Sequence, residues 1–234
     1  MKILTVDTSS NCSSVALSDG ASLLGEYLLG EDRLNSGRLF ASIAKLLESA
    51  RLAPTDLDAF AVAIGPGSFT GVRVGIATVK GLALAAAKPA VGFSSLAMLA
   101  LNSPYCGFPV APLFDARKKE VYAGLYRVTD LPEPLREDAV LAPESFLATI
   151  DEPTLFLGEG AVRYRDLITA TLGDRARFAP FHADVPRAAA GAVIACDLAR
   201  QGRFTPLELL NPTYIRPSEA EIAKQKRDAS NSIS

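Results

Sequence analysis

Gly65-Pro66-Gly67-Ser68-Phe69-Thr70-Gly71-Val72-Arg73-Val74-Gly75 follows a strand-like apolar run, Phe60-Ala61-Val62-Ala63-Ile64. It opens a long helical pattern that carries almost no charge and ends near Ala87. A strand, a glycine loop and a helix in that order suggest a phosphate cradle, because a helix N-terminus points free N–H groups at anions. The details argue otherwise. A P-loop needs a Gly-Lys-Ser/Thr ending, and no Lys stands near Thr70; the nearest cation is Arg73, one turn into the helix. Glycines at 65, 67, 71 and 75 also lack the spacing of a dinucleotide-binding turn.

Helix geometry supplies another use for these glycines. At about 100° per residue, Gly71, Gly75, Thr78, Leu82 and Ala85 share one narrow stripe, with Val74 at its edge. Val72, Ile76, Val79, Ala83 and Ala86 form a second apolar stripe beside it, and Arg73 and Lys80 share the remaining face. A surface helix shows one apolar stripe, so this one expects cover on most of its circumference. Gly71, Gly75 and Gly81 each cost roughly 1 kcal/mol relative to Ala inside a helix. Close approach of another backbone would offset that cost. The approaching element belongs either to this chain or to a second subunit.

The chain has 234 residues, enough for one large domain or two small ones with a substantial core. With 49% hydrophobic and 21% charged residues it has an ordinary globular composition. Met1-Lys2 runs straight into a strand ending at Asp7, so no targeting segment is expected. The apolar runs Leu82–Ala87 and Leu96–Leu101 are short for a bilayer. Cys12, Cys106 and Cys196 are scattered, odd in number and without metal-ligand spacing, which suggests thiols in a reducing cytoplasm. A formal net charge of −2 argues against a protein that holds RNA by itself over a broad basic surface. The one basic run, Lys224-Gln225-Lys226-Arg227, leads into a polar tail, and residues 227–234 are expected to be disordered.

Along the first half, strands are expected over Ile3–Asp7, Ser13–Ser18 and Ser22–Leu29, with Asp19-Gly20 as a hairpin turn. Leu39, Phe40, Ile43, Leu46 and Leu47 recur at helical spacing, predicting a helix from Asn35 to Arg51 capped by Asn35 or Ser36. A strand over Phe60–Ile64, the glycine-opened helix and a short helix over Ser94–Leu101 complete a half-domain of residues 1–101. Asn102-Ser103-Pro104 reads as a linker. Beyond it, Val110–Asp115 and Glu120–Tyr126 repeat the strand–turn–strand opening, so that Asp7 and Asp115 end equivalent strands. A smaller, degenerate second half-domain over 104–211 follows. In it Pro132–Pro143 reads as a loop, Thr154–Leu157 as a strand feeding the turn Gly158-Glu159-Gly160, and Tyr164–Thr171 and Ala188–Arg200 as helices. A last helix within about 212–226, with Glu221 at capping-box spacing from Ser218, is expected to pack back on the first half. By pattern alone this is a mixed α/β layer fold.

Four segments carry a resemblance. Met1 to Ser9, Gly65 to Gly75, Asp115-Ala116-Arg117 with Glu120-Val121-Tyr122, and Pro212-Thr213-Tyr214-Ile215-Arg216 together resemble the TsaB (YeaZ) family, in the right order over nearly the whole chain. The resemblance implies two ribonuclease-H-like half-domains of the actin and sugar-kinase (ASKHA) superfamily. It implies a cytoplasmic, non-catalytic subunit of the machinery that makes N6-threonylcarbamoyladenosine beside the anticodon of tRNAs reading codons that begin with A. The implied partners are the transferase TsaD, the ATPase TsaE and a second copy of the chain, with tRNA met only through the complex and no membrane. Pairing through the N-terminal half favours the intersubunit reading of Gly71, Val74, Gly75, Thr78, Leu82 and Ala85.

The paralogous transferase carries a His-x-x-x-His metal pair, and motif order puts those places at Ser95 and Leu99, neither a metal ligand of that kind. The chain's one histidine, His182, reads as a loop residue and leaves a Ser–His–Asp protease unsupported. Asn35 stands where family members show His. A weaker nucleotide site would use Asp7, Thr8 and Ser9 with Asp115 across a cleft and the turn Gly158–Gly160. It would take ATP or ADP with Mg²⁺ at an interface shared within the complex, and otherwise no cofactor is expected. Asp7 suits Mg²⁺ by its hardness, but equally suits the N–H groups of its own turn. An ATP-dependent small-molecule kinase or carbamoyl transferase using Asp7 and Asp115 is the alternative function.

Overall fold

The computed structural model describes residues 1–30 and 36–215. The Asn35 cap and the helix and tail expected beyond Ile215 lie outside the described residues. Strands β1 (Lys2–Asp7), β2 (Ser13–Asp19) and β3 (Ser22–Leu29) form two antiparallel hairpin pairs. Strands β4 (Ala59–Ala63) and β5 (Ala90–Phe93) add in parallel on the other side of β1, giving the order β3-β2-β1-β4-β5. Helices α1 (Ser36–Ser49) and α2 (Phe69–Ala86) lie on one face of this sheet. There Leu39, Ile43 and Leu47 of α1, and Val72, Ile76 and Val79 of α2, pack on Leu4, Val6, Val15 and Leu17. Alternation along β1 and β2 sends these side chains to a single face, which is why the two helices share one core.

The second half repeats this plan. Strands β6 (Val110–Asp115), β7 (Val121–Val128), β8 (Pro132–Leu141), β9 (Thr154–Leu157) and β10 (Ala176–Phe178) are ordered β10-β9-β6-β7-β8. β6, like β1, is antiparallel to its next strand and parallel to the later one. Asp7 and Asp115 therefore end equivalent central strands. The result is a duplicated, two-sheet α/β architecture.

The structure corrects several expectations. Pro132–Pro143 is not a loop: most of it is β8, which pairs with β7 alone. An edge strand tolerates residues without an N–H, so Pro132 and Pro134 do not break it. Pro143 starts a helix instead of ending an element, opening α4 (Pro143–Leu147) at a position whose N–H has no helical partner. Glu159 and Gly160 belong to a short helix, α5 (Glu159–Arg163), before α6 (Arg165–Leu172).

One helix within residues 104–211 lies against the first sheet. Helix α7 (Ala188–Arg200) sits on the first sheet, where Ala195, Cys196 and Ala199 cover Ile3, Ala59, Ala61 and Val91. Glu26 of β3 holds its start. The Glu26 carboxylate accepts the Ala189 N–H at 3.0 Å and pairs with Arg187, while Ser14 Oγ accepts the Ala188 N–H at 2.9 Å. Helix α3 (Ser95–Ala100) packs on the second half through Leu96 and Leu99, beside Val110 and Phe114. The linker is pinned as well, since Asn102 Nδ2 donates to the carbonyls of Ala183 and Val185 at 3.0 and 2.8 Å.

By length and composition α2 would suffice to cross a membrane. Its apolarity has another outlet, because Val72, Ile76, Val79 and Ala83 are buried on the sheet.

Candidate functional site

The loop that opens α2 is built against the first hairpin. Gly67 lies at φ 157°, and a Cβ there would run into the carbonyl of Ser9. The Ser68 N–H donates to that same carbonyl at 2.7 Å. Ser68 caps the helix, its hydroxyl accepting the Gly71 N–H at 3.3 Å. One turn on, the Thr8 hydroxyl donates to the Gly71 carbonyl at 2.7 Å, and a Cβ on Gly75 would collide with Thr8 Oγ1.

The element that approaches the glycine stripe is thus this chain's own β1–β2 turn. Gly71, Gly75 and Thr78 are buried inside the subunit, and the intersubunit expectation is corrected at these three positions. Val74 and Leu82 are half-buried, and Ala85 is exposed. The outward face lies further round the helix, at Val74, Ala77, Gly81, Leu84 and Ala85, with Leu84 74% exposed. On α1, which shares the core beneath, the exposed residues include Phe40, Ala41 and Ala44. Residue identity alone could not separate these faces, because small residues occupy both.

Asp7 is 1% exposed at the end of β1. One carboxylate oxygen accepts the Ser9 N–H at 3.0 Å, and the other has no partner among the described residues. Burial lifts its pKa from 3.8 to about 6 against the opposing hydrogen bonds from Ser9 and Thr8. Thr8 and Ser9 are equally buried.

Between the two halves runs a cleft of about 670 Å³. Of the six residues expected at a nucleotide site, Asp115 alone lines it; Asp7, Thr8 and Ser9 lie sealed beneath the Gly67 loop. Asp115 is engaged by Arg163 at 3.1 Å and by Arg117 at 3.5 Å, and also accepts the Arg117 N–H at 3.0 Å. Gly158 (φ 97°) and Gly160 serve packing. A Cβ on Gly158 would strike the Leu113 carbonyl, and one on Gly160 would lie 2.9 Å from the Leu113 carbonyl carbon. These two glycines seat α5 on β6.

Sequence reasoning missed the mouth of the cleft. Arg73 stacks its guanidinium 3.9 Å from the Phe69 ring centroid and donates from Nε to the Tyr214 hydroxyl at 2.7 Å. Phe69 and Tyr214 lie 5.7 Å apart, 50% and 45% exposed. The contact spans 141 residues of sequence, so no local pattern announced it. Arg117 and Lys118 line the cleft on the side of the second half and, with Lys119, occupy three successive left-handed positions, at φ 61°, 50° and 62°.

Ser95 and Leu99, which the resemblance sets opposite the transferase's histidines, are both fully buried. The Ser95 hydroxyl accepts the Gly65 N–H at 3.1 Å, and Leu99 is part of the core. His182 stands exposed on the turn Phe181–Ala183, edge-on to Phe181.

The family model TsaD: tRNA N6-adenosine threonylcarbamoyltransferase matches residues 32–224. The Bacillus subtilis tRNA threonylcarbamoyladenosine biosynthesis protein TsaB is 32% identical over 225 residues, which cover 94% of this chain and 96% of that protein. A Pseudomonas aeruginosa structure, described as similar to the peptidase YeaZ, superposes with a TM-score of 0.80 at 32% identity, over 92% of this chain and 99% of that one. Component A of (R)-2-hydroxyglutaryl-CoA dehydratase from Acidaminococcus fermentans has a TM-score of 0.51 at 12% identity, over 86% of this chain and 99% of that one, and shares the fold alone. The match to TsaB proteins runs over nearly the whole of both chains, and this chain belongs to the TsaB family of tRNA threonylcarbamoyladenosine biosynthesis proteins.

Proposed function

We propose that this chain is the non-reacting scaffold subunit of the threonylcarbamoyl-installing complex. It pairs with the transferase TsaD and biases it towards its active shape, works together with the ATPase TsaE, and pairs with itself when alone. Binding energy that favours one state of a partner is sufficient for such activation. The observation that carries this reading is the outward face of α2. Val74, Ala77, Gly81, Leu84 and Ala85 present an apolar surface, and Phe40 and Ala44 of α1, a helix that shares the same core, are exposed as well. Small residues at Ala77, Gly81 and Ala85 let a partner helix come close, and burying Leu84 contributes about 1.5–3 kcal/mol. Leu82, on the flank of that face, adds to the contact. The sealing of Asp7 beneath Gly67 supports this reading over an ATP-dependent kinase or carbamoyl transferase.

The test is size-exclusion chromatography of this chain with TsaD, using Leu84→Glu and Ala77→Glu. Loss of the heterodimer with unchanged circular dichroism is the expected result; retained pairing in both variants refutes the face. Reconstitution with TsaD, TsaE, threonylcarbamoyl-adenylate, ATP and tRNA completes it. Product is expected only when this chain is present. Turnover by the chain alone, lost in Asp7→Ala, would replace the scaffold with an enzyme.

A further inference from the structure

We infer that the cleft between the two half-domains holds a single-stranded segment of RNA, with Phe69 and Tyr214 as stacking surfaces and Arg73 and Lys118 as phosphate contacts, one from each half. The inference rests on the proposed role in an RNA-modifying complex and deepens it by naming where this subunit meets the RNA.

The cleft combines the two properties that such a ligand requires. Its mouth carries aromatic rings half open to solvent, and every base has a face that stacks on them. Arg117 and Lys118, on the turn after β6, line the cleft, and Arg73 of α2 lies beside it, packed on two residues of its wall, Phe69 and Tyr214. Arg73 is held flat on Phe69 and oriented by the Tyr214 hydroxyl, so little side-chain freedom is lost when it meets an anion. Asp115 and Glu159 also line the cleft, but Asp115 is neutralised by its two arginine partners. The formal net charge of −2 excludes a basic surface over the whole chain, not a local one.

A free nucleotide with Mg²⁺ fits less well. The carboxylate placed to hold a metal at the first hairpin, Asp7, does not reach the cleft, and Asp115 is already paired. Cations from both halves suit a backbone passing between them, with phosphates on either side, better than one compact polyphosphate.

The experiment titrates the heterodimer of this chain and TsaD into a fluorescein-labelled, unmodified tRNA transcript reading an A-starting codon, at several salt concentrations. Arg73→Glu and Lys118→Glu are each expected to weaken binding about ten-fold or more and to lower the slope of log Kd against log salt by about one. Phe69→Ala is expected to weaken binding with the slope unchanged. Unaltered Kd and slope in both charge variants overturn the inference. Displacement of the tRNA by millimolar ATP overturns it too, by making the cleft a free-nucleotide pocket. Size-exclusion chromatography of the same samples separates the two levels: absence of a heterodimer refutes the proposed function. In that case the titration is run with the chain alone, where loss of crosslinking to the transcript in Arg73→Glu still supports the RNA site and its retention overturns it.

Discussion

Thr8 fills the space that a side chain on Gly75 would need. Its hydroxyl also donates to the Gly71 carbonyl, so one threonine just after β1 accounts for Gly75 and ties down the first turn of α2. The two elements meet at backbone range within a single subunit.

Gly75→Ala is therefore expected to destabilise the folded chain by about 1–3 kcal/mol through overpacking. In a Thr8→Ala background the same substitution should cost less, with a coupling on the order of 1 kcal/mol. Urea denaturation of the four-member cycle measures this. Equal costs in both backgrounds would show that Thr8 is not what Gly75 accommodates.

Asp7 makes stability depend on pH in an unusual direction for a carboxylate. Its pKa rises from 3.8 to about 6 on folding, so the native state binds the proton more tightly. The associated stability is fully present below about pH 4 and is lost as pH rises through 6, amounting to about 3 kcal/mol. Asp7→Asn should remove this contribution. The difference in unfolding free energy between variant and parent then shifts in favour of the variant from pH 4 to pH 7, and a constant difference contradicts the assignment.

Glu26 joins β3 to the start of α7 across 161 residues, at 6% side-chain exposure. Glu26→Ala leaves Arg187 and the Ala189 N–H without their acceptor, and is expected to cost about 2–4 kcal/mol. Hydrogen exchange should show the first turn of α7 losing protection while α2 keeps its own. Uniform loss across both helices would mean that the cap is not local.

Gly160→Ala pushes a methyl group against the Leu113 backbone. Lowered thermal stability is expected, by about 1–3 kcal/mol, with no change in partner pairing. Unchanged stability would remove the packing role assigned to this glycine.

Much of the architecture was legible because short-range chemistry writes it. Short apolar runs marked β1, β2 and β6, the Asp19-Gly20 turn set the hairpin of β2 and β3, and the pattern over Ala188–Arg200 gave that helix its bounds. Pro132 and Pro134 misled, because a proline reports a missing donor and not whether the strand is at an edge. The candidate site was less legible. The spacing of Gly71, Gly75 and Thr78 correctly announced a close approach, but the approaching Thr8 is 63 residues or more away in sequence. Arg73 and Tyr214 are further apart still.

The sequence by itself determined the α/β class, the duplicated strand–turn–strand plan, the need for an extensively covered α2, and the absence of histidines at positions 95 and 99. These follow from residue type and spacing within a few turns of chain. The tertiary structure alone decided which side of α2 faces inwards, that α7 crosses to the first sheet, that Asp7 is sealed while Asp115 faces the cleft, and that Arg73 meets Tyr214. Each of those depends on contacts between segments far apart in sequence, whose pairing is selected by the packing of the whole fold and by no local preference.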